Sequence, residues 1–138
     1  MSATRITVSA TINAPLEKVW ERYTAPDHIT KWNFASADWQ CPWAKNDLKV
    51  GGKYAARMEA KDGSFGFEFE GIYDVVKVNE ELSYTMADGR KATNLFKANG
   101  AQTLVETTFD AESENSAEMQ KGGWQAILDN FKKYAEAN

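Results

Sequence analysis

The sequence contains little of what metal centres and redox sites are built from. Among its 138 residues there is one cysteine, Cys41, and one histidine, His28. A lone cysteine cannot form a disulfide within the chain, and zinc or copper sites use several cysteine or histidine ligands. No glycine-rich loop leads from a strand into a helix to hold a phosphate. We therefore predict no metal and no cofactor, and a location in the reducing cytoplasm.

The chain also lacks a basic excess and a long apolar run. Its 16 lysine and arginine residues face 20 aspartate and glutamate residues, which argues against nucleic-acid and membrane-surface partners. No stretch approaches the roughly 20 apolar residues of a membrane helix, and residues 1–6 do not resemble a signal peptide. With 43% hydrophobic and 12% aromatic residues, the chain is expected to fold as one domain over residues 1–138.

Apolar residues recur with two different periods along the chain. Residues 4–12 alternate between apolar and polar side chains, which predicts a half-buried strand. Two short helices are expected to start at Pro15 and Pro26, since proline is tolerated in the first helical turn. Period two then returns, and turn pairs such as Asp62-Gly63 mark hairpins. Six strands are predicted at residues 33–40, 52–61, 65–78, 81–87, 91–98 and 102–110.

A long amphipathic helix is predicted from residue 116 to residue 136. Asn115, followed three residues later by Glu118, forms the pattern of a capping box. Gly122 and Gly123 lie inside the first turns, where each costs about 1 kcal/mol relative to alanine. A packing or spatial reason for these glycines is therefore expected. The apolar face of the helix holds Trp124, Ile127, Leu128, Phe131 and Tyr134.

The predicted order is one strand, two short helices, six antiparallel strands and a long helix. A meander of this length curls and leaves a concave apolar face, which the C-terminal helix is long enough to cover. We therefore expect the α+β class, with a curved antiparallel sheet wrapped around the C-terminal helix.

Short motifs occur in the order found in one superfamily. They are residues 13–20, residues 28–32, Gly51-Gly52, Asp62-Gly63-Ser64, Phe69-Glu70-Gly71 and Gly123-Trp124. On these motifs the chain resembles the helix-grip (SRPBCC) superfamily, which includes START domains, the birch-pollen allergen and polyketide cyclases. It is most similar to small bacterial proteins that resemble the C-terminal domain of the activator of the ninety-kilodalton heat-shock protein ATPase. The resemblance implies a deep cavity between sheet and helix, often for an apolar ligand.

The usual templates for catalysis find little support in the sequence. His28 lies beside a proline-initiated turn, which favours a surface or capping role over catalysis. Glu68 and Glu70 alternate with two phenylalanines, so strand phase places the aromatic rings inward and the carboxylates in solvent. Asp38 stays open, because its predicted strand has apolar groups on both faces. A buried Asp38 with a strongly shifted pKa would indicate an enzyme.

A set of mostly aromatic residues is predicted to line a ligand cavity. Such residues more often fill a core, but three features favour a pocket. Buried tyrosine hydroxyls need partners, Gly71 and Gly123 leave volume unfilled, and Gln120 places an amide in the apolar stripe of the helix. The predicted ligand-binding residues are Trp32, Tyr54, Met58, Phe67, Phe69, Tyr73, Tyr84, Met86, Phe96, Gln120, Gly123 and Trp124.

One segment has two open interpretations. Residues 41–51 are predicted as a mobile loop, and Trp39 and Trp43 flank its first residues. The tryptophans either anchor the loop on the sheet edge or form a lid over the cavity. Cys41 has no adjacent base, so an activated thiolate is not expected.

We predict that the protein binds a small apolar or aromatic molecule in its cavity. The resemblance implies a first alternative, which is a co-chaperone-like interaction with a heat-shock protein. A second alternative is an enzyme of the cyclase or hydrolase type, which needs an acid or a base in the cavity.

Overall fold

The computed structural model describes residues 4–138, so residues 1–3 of the predicted domain lie outside the described residues. Its elements, in chain order, are β1 (Arg5–Ile12), α1 (Leu16–Thr24), α2 (Pro26–Ile29), β2 (Trp39–Gln40), β3 (Ala44–Asn46), β4 (Lys53–Ala60), β5 (Gly66–Lys77), β6 (Glu81–Met86), β7 (Lys91–Asn99), β8 (Gln102–Asp110) and α3 (Ala117–Ala137).

Within residues 4–138, eight strands form one antiparallel sheet of order β1-β8-β7-β6-β5-β4-β2, and β3 also pairs with β4. The strands from β4 to β8 follow one another as four hairpins. Three of their turns carry a glycine at positive φ (Gly63, Gly89 and Gly100), and the turn between β5 and β6 carries Asn79 at positive φ. The register of β5 and β6 shifts between Tyr73 and Val75, and such bulges increase the bend of a strand. The sheet curls around α3, which confirms the predicted α+β helix-grip fold.

The region between α2 and β4 differs from the prediction. The strand expected at residues 33–40 is reduced to Trp39–Gln40, because a turn precedes it in which the Trp39 N–H donates to the Ser36 carbonyl. The segment expected to be a mobile loop contains β3, which pairs with β4 through Ala44 and Ala56. Apolar groups on both faces of the segment gave no clear alternation, so sequence period could not place these short strands.

The C-terminal helix begins one residue later than its predicted start, at Ala117. Ser116 is the N-cap residue, and its hydroxyl accepts a hydrogen bond of 3.1 Å from the Met119 N–H. The capping box predicted from Asn115 and Glu118 is therefore wrong, because the N-cap lies one residue later and Met119 stands where a capping box has Glu or Gln. The Asn115 N–H instead donates to a Glu112 carboxylate oxygen at 2.6 Å, within the loop that leads into the helix.

Side chains of α3 bind the free edge of β1. Gln125 Nε2 donates to the Ser9 carbonyl at 3.0 Å, and Lys132 Nζ donates to the Thr11 carbonyl at 2.6 Å. These contacts occupy backbone acceptors that an edge strand otherwise leaves open to other chains. They also fix the position of the helix over the concave face of the sheet.

The core lies between the sheet, α1 and the second half of α3. Phe131 is fully buried, and its ring meets Tyr23 and Trp32 edge-on at centroid distances of 5.1 and 4.9 Å. This packing fills the space under the C-terminal half of α3. No helix within residues 4–138 is both long enough and apolar enough to cross a membrane.

Candidate functional site

A cavity of about 320 Å³ lies between the sheet and the first half of α3. It is lined by side chains of β4, β5, β6 and α3, together with polar side chains from β7, β8 and the loops. Phe67 lines it and is 40% exposed, so this side chain contacts both the cavity and solvent. Small-molecule sites typically enclose about 300–1,000 Å³ behind mostly apolar walls. The cavity falls at the lower end of that range.

The apolar wall is held by stacked and edge-on aromatic rings. Trp124 lies parallel to Phe109, with 3.9 Å between the ring centroids and 9° between the planes. Phe69 meets Trp124 edge-on at 6.3 Å and Tyr84 edge-on at 5.9 Å. These are favourable aromatic geometries. Because Phe109 supports the indole from the sheet, Trp124 is positioned to present its remaining surface to the cavity.

A buried hydrogen-bond network forms part of the polar end of the cavity. Asn94 of β7 is 1% exposed, and its Oδ1 accepts hydrogen bonds from the Tyr23 hydroxyl at 3.0 Å and from Thr107 Oγ1 at 2.8 Å. Its Nδ2 donates to the Leu82 carbonyl at 3.2 Å. Asn94 and Thr107 are partners in the register of β7 and β8. The network therefore satisfies its buried polar groups and fixes the ring of Tyr23.

Two further asparagines connect the loops to this polar end. The Tyr73 hydroxyl donates to Asn46 Oδ1 at 2.7 Å, and Asn46 Nδ2 donates to the Thr24 carbonyl at 2.7 Å. Asn33 Nδ2 donates to the Tyr54 hydroxyl at 3.1 Å. The turn after α2, strand β3 and the sheet are thus held together around the cavity by side-chain amides.

The tyrosines of the cavity stay uncharged over the physiological range. Burial raises the pKa of Tyr23 to about 12 and raises the pKa values of Tyr54, Tyr73 and Tyr84 well above the usual value for a phenol. Desolvation disfavours the phenolate, so each group is a neutral hydroxyl that can both donate and accept. The polar end therefore offers hydrogen bonds without a net charge from its phenols.

Residues 13–136 match the model of the family described as activator of Hsp90 ATPase homolog 1-like protein. The chain belongs to this family. Its members share the helix-grip fold, so the resemblance read from the sequence motifs is confirmed. Among curated proteins, none matches the chain.

Solved structures of bacterial proteins show the same architecture. An AHSA1-like protein from Aeromonas hydrophila is 43% identical, with a TM-score of 0.91 over 97% of this chain and 93% of that one. The protein Chr148 from Cytophaga hutchinsonii is 48% identical, with a TM-score of 0.83 over the same shares of the two chains. The protein CV1439 from Chromobacterium violaceum is 20% identical with a TM-score of 0.84 over 97% and 98%, a likeness of fold alone.

Most of the residues expected to contact a ligand line the cavity of this family member. Nine do so: Trp32, Tyr54, Met58, Phe67, Phe69, Tyr73, Tyr84, Gln120 and Trp124. Met86 and Phe96 do not, although strand phase places both on the concave face, and they are 5% and 3% exposed within the core. Phe96 packs edge-on against Trp20 and Tyr23. Alternation along a strand determines the face on which a side chain lies. The elements packed on that face determine whether the side chain is part of the core or lines the cavity.

The two glycines expected to leave volume unfilled behave differently. A Cβ atom on Gly71 would lie 2.8 Å from Tyr84 Cδ1, so the tyrosine ring already occupies the space beside this glycine. Gly123 has no atom within 4 Å of the position of a Cβ atom, and it does not line the cavity. Gly71 therefore serves close packing, and Gly123 adjoins open space outside the cavity.

Gln120 lines the cavity, but its amide is engaged in holding a loop. Its Oε1 accepts from the Glu112 N–H at 2.8 Å, and its Nε2 donates to the carbonyls of Glu112 and Asn115 at 3.1 and 2.8 Å. Both amide hydrogens are used. The amide in the apolar stripe therefore orders the chain between β8 and α3, and it has no hydrogen left to donate to a ligand.

None of the ionisable candidates weighed in the sequence lines the cavity. His28 Nδ1 is 2.5 Å from the Tyr134 hydroxyl, on the far part of α3. Asp38 is exposed in the turn before β2, where its carboxylate accepts a hydrogen bond from Ser36. Burial raises the pKa of the Cys41 thiol to about 11, so the thiol stays protonated. Within residues 4–138, no three His, Cys, Asp or Glu side chains are grouped as metal ligands.

Sequence reasoning missed the polar part of the lining. Asn94 lies on the same inward face of β7 as Phe96, and Thr107 lies on the same inward face of β8 as Phe109. Polar residues at these two inward positions could have indicated the polar lining. Tyr23 lies on the apolar stripe of α1. The loop residues carried no such signal, because their side-chain directions follow from the tertiary fold. The missed polar residues are Tyr23, Asn33, Asn46, Arg90, Asn94, Thr107 and Glu112.

The structure favours anchoring over the lid interpretation for the segment after α2. Trp39 packs against Phe65 and Phe67 at centroid distances of 5.9 and 6.2 Å. Lys45 Nζ lies 5.6 Å from the ring of Trp43. Neither tryptophan lines the cavity, and β2 and β3 pair with β4 at the sheet edge.

Proposed function

We propose that this protein binds a small molecule with an apolar or aromatic body in the cavity beneath the first half of α3. The observation that carries the proposal is the composition of the lining. Aromatic and aliphatic side chains form its walls, and neutral hydroxyls and amides form one end. Apolar walls supply affinity through buried area, and a few fixed polar groups supply orientation.

The binding of a neutral fluorescent apolar probe, N-phenyl-1-naphthylamine, tests the proposal. Trp124→Phe removes part of the cavity wall and should weaken probe binding about fivefold, which corresponds to about 1 kcal/mol. Trp43→Phe is the matched control, because Trp43 lies at the sheet edge and does not line the cavity. Equal effects of the two substitutions, or no saturable probe binding by the unaltered protein, would contradict the proposal.

Native mass spectrometry of the protein purified from its own host gives a complementary test. We expect a molecule of small mass that stays bound under native conditions and is released on unfolding. We place this binding in the cytoplasm, because the chain has a single cysteine, Cys41, and so cannot form an internal disulfide.

A second proposal, interaction with a chaperone of the Hsp90 class, is favoured by the family match and by one surface feature. Phe65 is 62% exposed and contacts Trp39 and Phe67, which makes an aromatic patch at the end of the β4–β5 hairpin. Exposed aromatic clusters of this kind often mark protein contacts.

Chaperone ATPase rate in the presence of this protein is the measurement for that second proposal. Phe65→Ser should abolish any stimulation. Val78→Ser is the control, since Val78 is 64% exposed in the turn between β5 and β6. Stimulation that is absent, or that survives Phe65→Ser, would argue against contact through the patch.

A further inference from the structure

Two tyrosines that line the cavity have hydroxyl hydrogen atoms that no acceptor within residues 4–138 takes. We propose that the hydroxyls of Tyr54 and Tyr84 form a donor pair that recognises the carbonyl oxygen of a neutral, otherwise apolar ligand. This inference rests on the proposed small-molecule binding and names the chemistry that the site selects.

The Tyr54 hydroxyl oxygen accepts a hydrogen bond from another residue of the protein. Its hydroxyl oxygen accepts a hydrogen bond of 3.1 Å from Asn33 Nδ2. An amide nitrogen can only donate, so the hydroxyl hydrogen of Tyr54 must find a different partner. Among residues 4–138, the Tyr54 hydroxyl donates no hydrogen bond to an acceptor, and Tyr54 lines the cavity.

The Tyr84 hydroxyl also lacks a protein acceptor within residues 4–138. It is 8% exposed and lines the cavity, and the Asn94 side chain lies beside its hydroxyl. Asn94 Oδ1 already accepts from Tyr23 and Thr107, which fills both of its lone pairs. The Tyr84 hydroxyl makes no hydrogen bond to an acceptor within residues 4–138 and is open to the cavity, so a ligand acceptor can take its hydrogen.

Gly71 brings the two rings together. Tyr54 pairs with Gly71 across β4 and β5, and the Tyr84 ring lies over this glycine, where a Cβ atom would be 2.8 Å away. The ring centroids of Tyr54 and Tyr84 are 6.2 Å apart as a result. Both residues line the cavity, so the two rings lie side by side on one wall of it.

The charges at the cavity disfavour an anionic ligand. Arg90 and Glu112 line it with opposite signs, and Arg90 already forms an ion pair, in which its Nε donates to Asp88 at 2.7 Å. The Glu112 carboxylate accepts from the Asn115 N–H at 2.6 Å. An anion entering the cavity would lose its water without gaining an unpaired counter-charge. A carbonyl oxygen accepts two hydrogen bonds at a much smaller cost of desolvation.

Displacement of N-phenyl-1-naphthylamine by two matched ligands tests the inference. The ligands are 2-acetylnaphthalene, which has a carbonyl oxygen, and 2-ethylnaphthalene, which does not. The quantity compared is the ratio of their two dissociation constants in each variant, so that the different water solubilities of the ligands cancel. Tyr54→Phe and Tyr84→Phe should each shift this ratio about fivefold against the ketone, as expected for the loss of one hydrogen bond.

Tyr134→Phe is the matched control, because Tyr134 carries a phenol that bonds His28 outside the cavity. Its ratio should equal that of the unaltered protein. If Tyr54→Phe fails to fold because the Asn33 amide loses its acceptor, Tyr84→Phe alone decides the question.

An unchanged ratio in Tyr84→Phe, with both ligands still displacing the probe, would overturn the donor pair and leave small-molecule binding intact. Binding of 2-naphthoate that is tighter than that of 2-acetylnaphthalene would overturn the preference for a neutral ligand. Failure of every ligand and of the probe to bind would instead remove the proposed function itself.

Discussion

The two glycines in α3 offer a test of the packing that needs no ligand. Gly122 and Gly123 lie in the helix interior, and neither has an atom within 4 Å of the position of a Cβ atom. Gly122→Ala and Gly123→Ala therefore add a methyl group without a clash. Each substitution also restricts the unfolded chain and removes the unfavourable helix propensity of glycine.

The magnitude follows from helix propensity alone. Each substitution should raise the free energy of unfolding by about 1 kcal/mol, and the double variant by about 2 kcal/mol. For a domain of this size about 1 kcal/mol corresponds to roughly 4 °C in the melting temperature. The double variant should therefore melt roughly 8 °C higher. Gly71→Ala should instead lower the free energy of unfolding by about 1–3 kcal/mol, because the added methyl group would clash with the buried Tyr84 ring.

Thermal unfolding followed by circular dichroism, with chemical denaturation as a second measure, separates these outcomes. Probe affinity should stay within about twofold in Gly122→Ala and Gly123→Ala, since neither residue lines the cavity. A fall in the melting temperature of Gly123→Ala would refute the reasoning. It would mean that the helix and the sheet approach each other more closely at this point than the open space beside Gly123 implies.

Three further predictions concern the cavity and its surroundings. Trp124→Ala should lower the free energy of unfolding by about 2–3 kcal/mol. This is less than for a fully enclosed tryptophan, because one side of the indole meets the cavity. A larger loss with unchanged probe affinity would make Trp124 a core residue. His28→Ala should lower stability by about 1 kcal/mol through its bond to Tyr134 and leave probe affinity unchanged, and any large change in affinity would contradict the placement of His28. The free energy of unfolding should fall as pH rises above about 10, because phenols ionise at a lower pH in the unfolded chain than in the folded protein. Tyr23, with its pKa raised to about 12, accounts for about 3 kcal/mol of this loss. Phenolate absorbance should then rise together with unfolding, whereas ionisation of all tyrosines in a still folded protein would contradict their burial.

Outside the segment between α2 and β4, the sequence by itself determined the order of the elements and the faces they bury. Alternation predicted the strands from β4 to β8, and the spacing from Trp124 to Phe131 predicted the buried face of α3, because both patterns follow directly from backbone geometry. The turn glycines, such as Gly63 and Gly100, marked the hairpins because their positive φ angles favour glycine. These local rules carried the fold class and placed most of the aromatic cavity residues on the correct face.

Only the tertiary structure decided where the core ends and the cavity begins. Phe96 and Phe69 have the same inward phase, yet Phe96 is covered by α1 while Phe69 faces the space beside Trp124. The partners of Tyr54 and Tyr73 are asparagines from the segment after α2, where local sequence carries no periodic signal. A cavity and its free donors depend on contacts between segments that are distant in sequence, and no single period along the chain encodes such contacts.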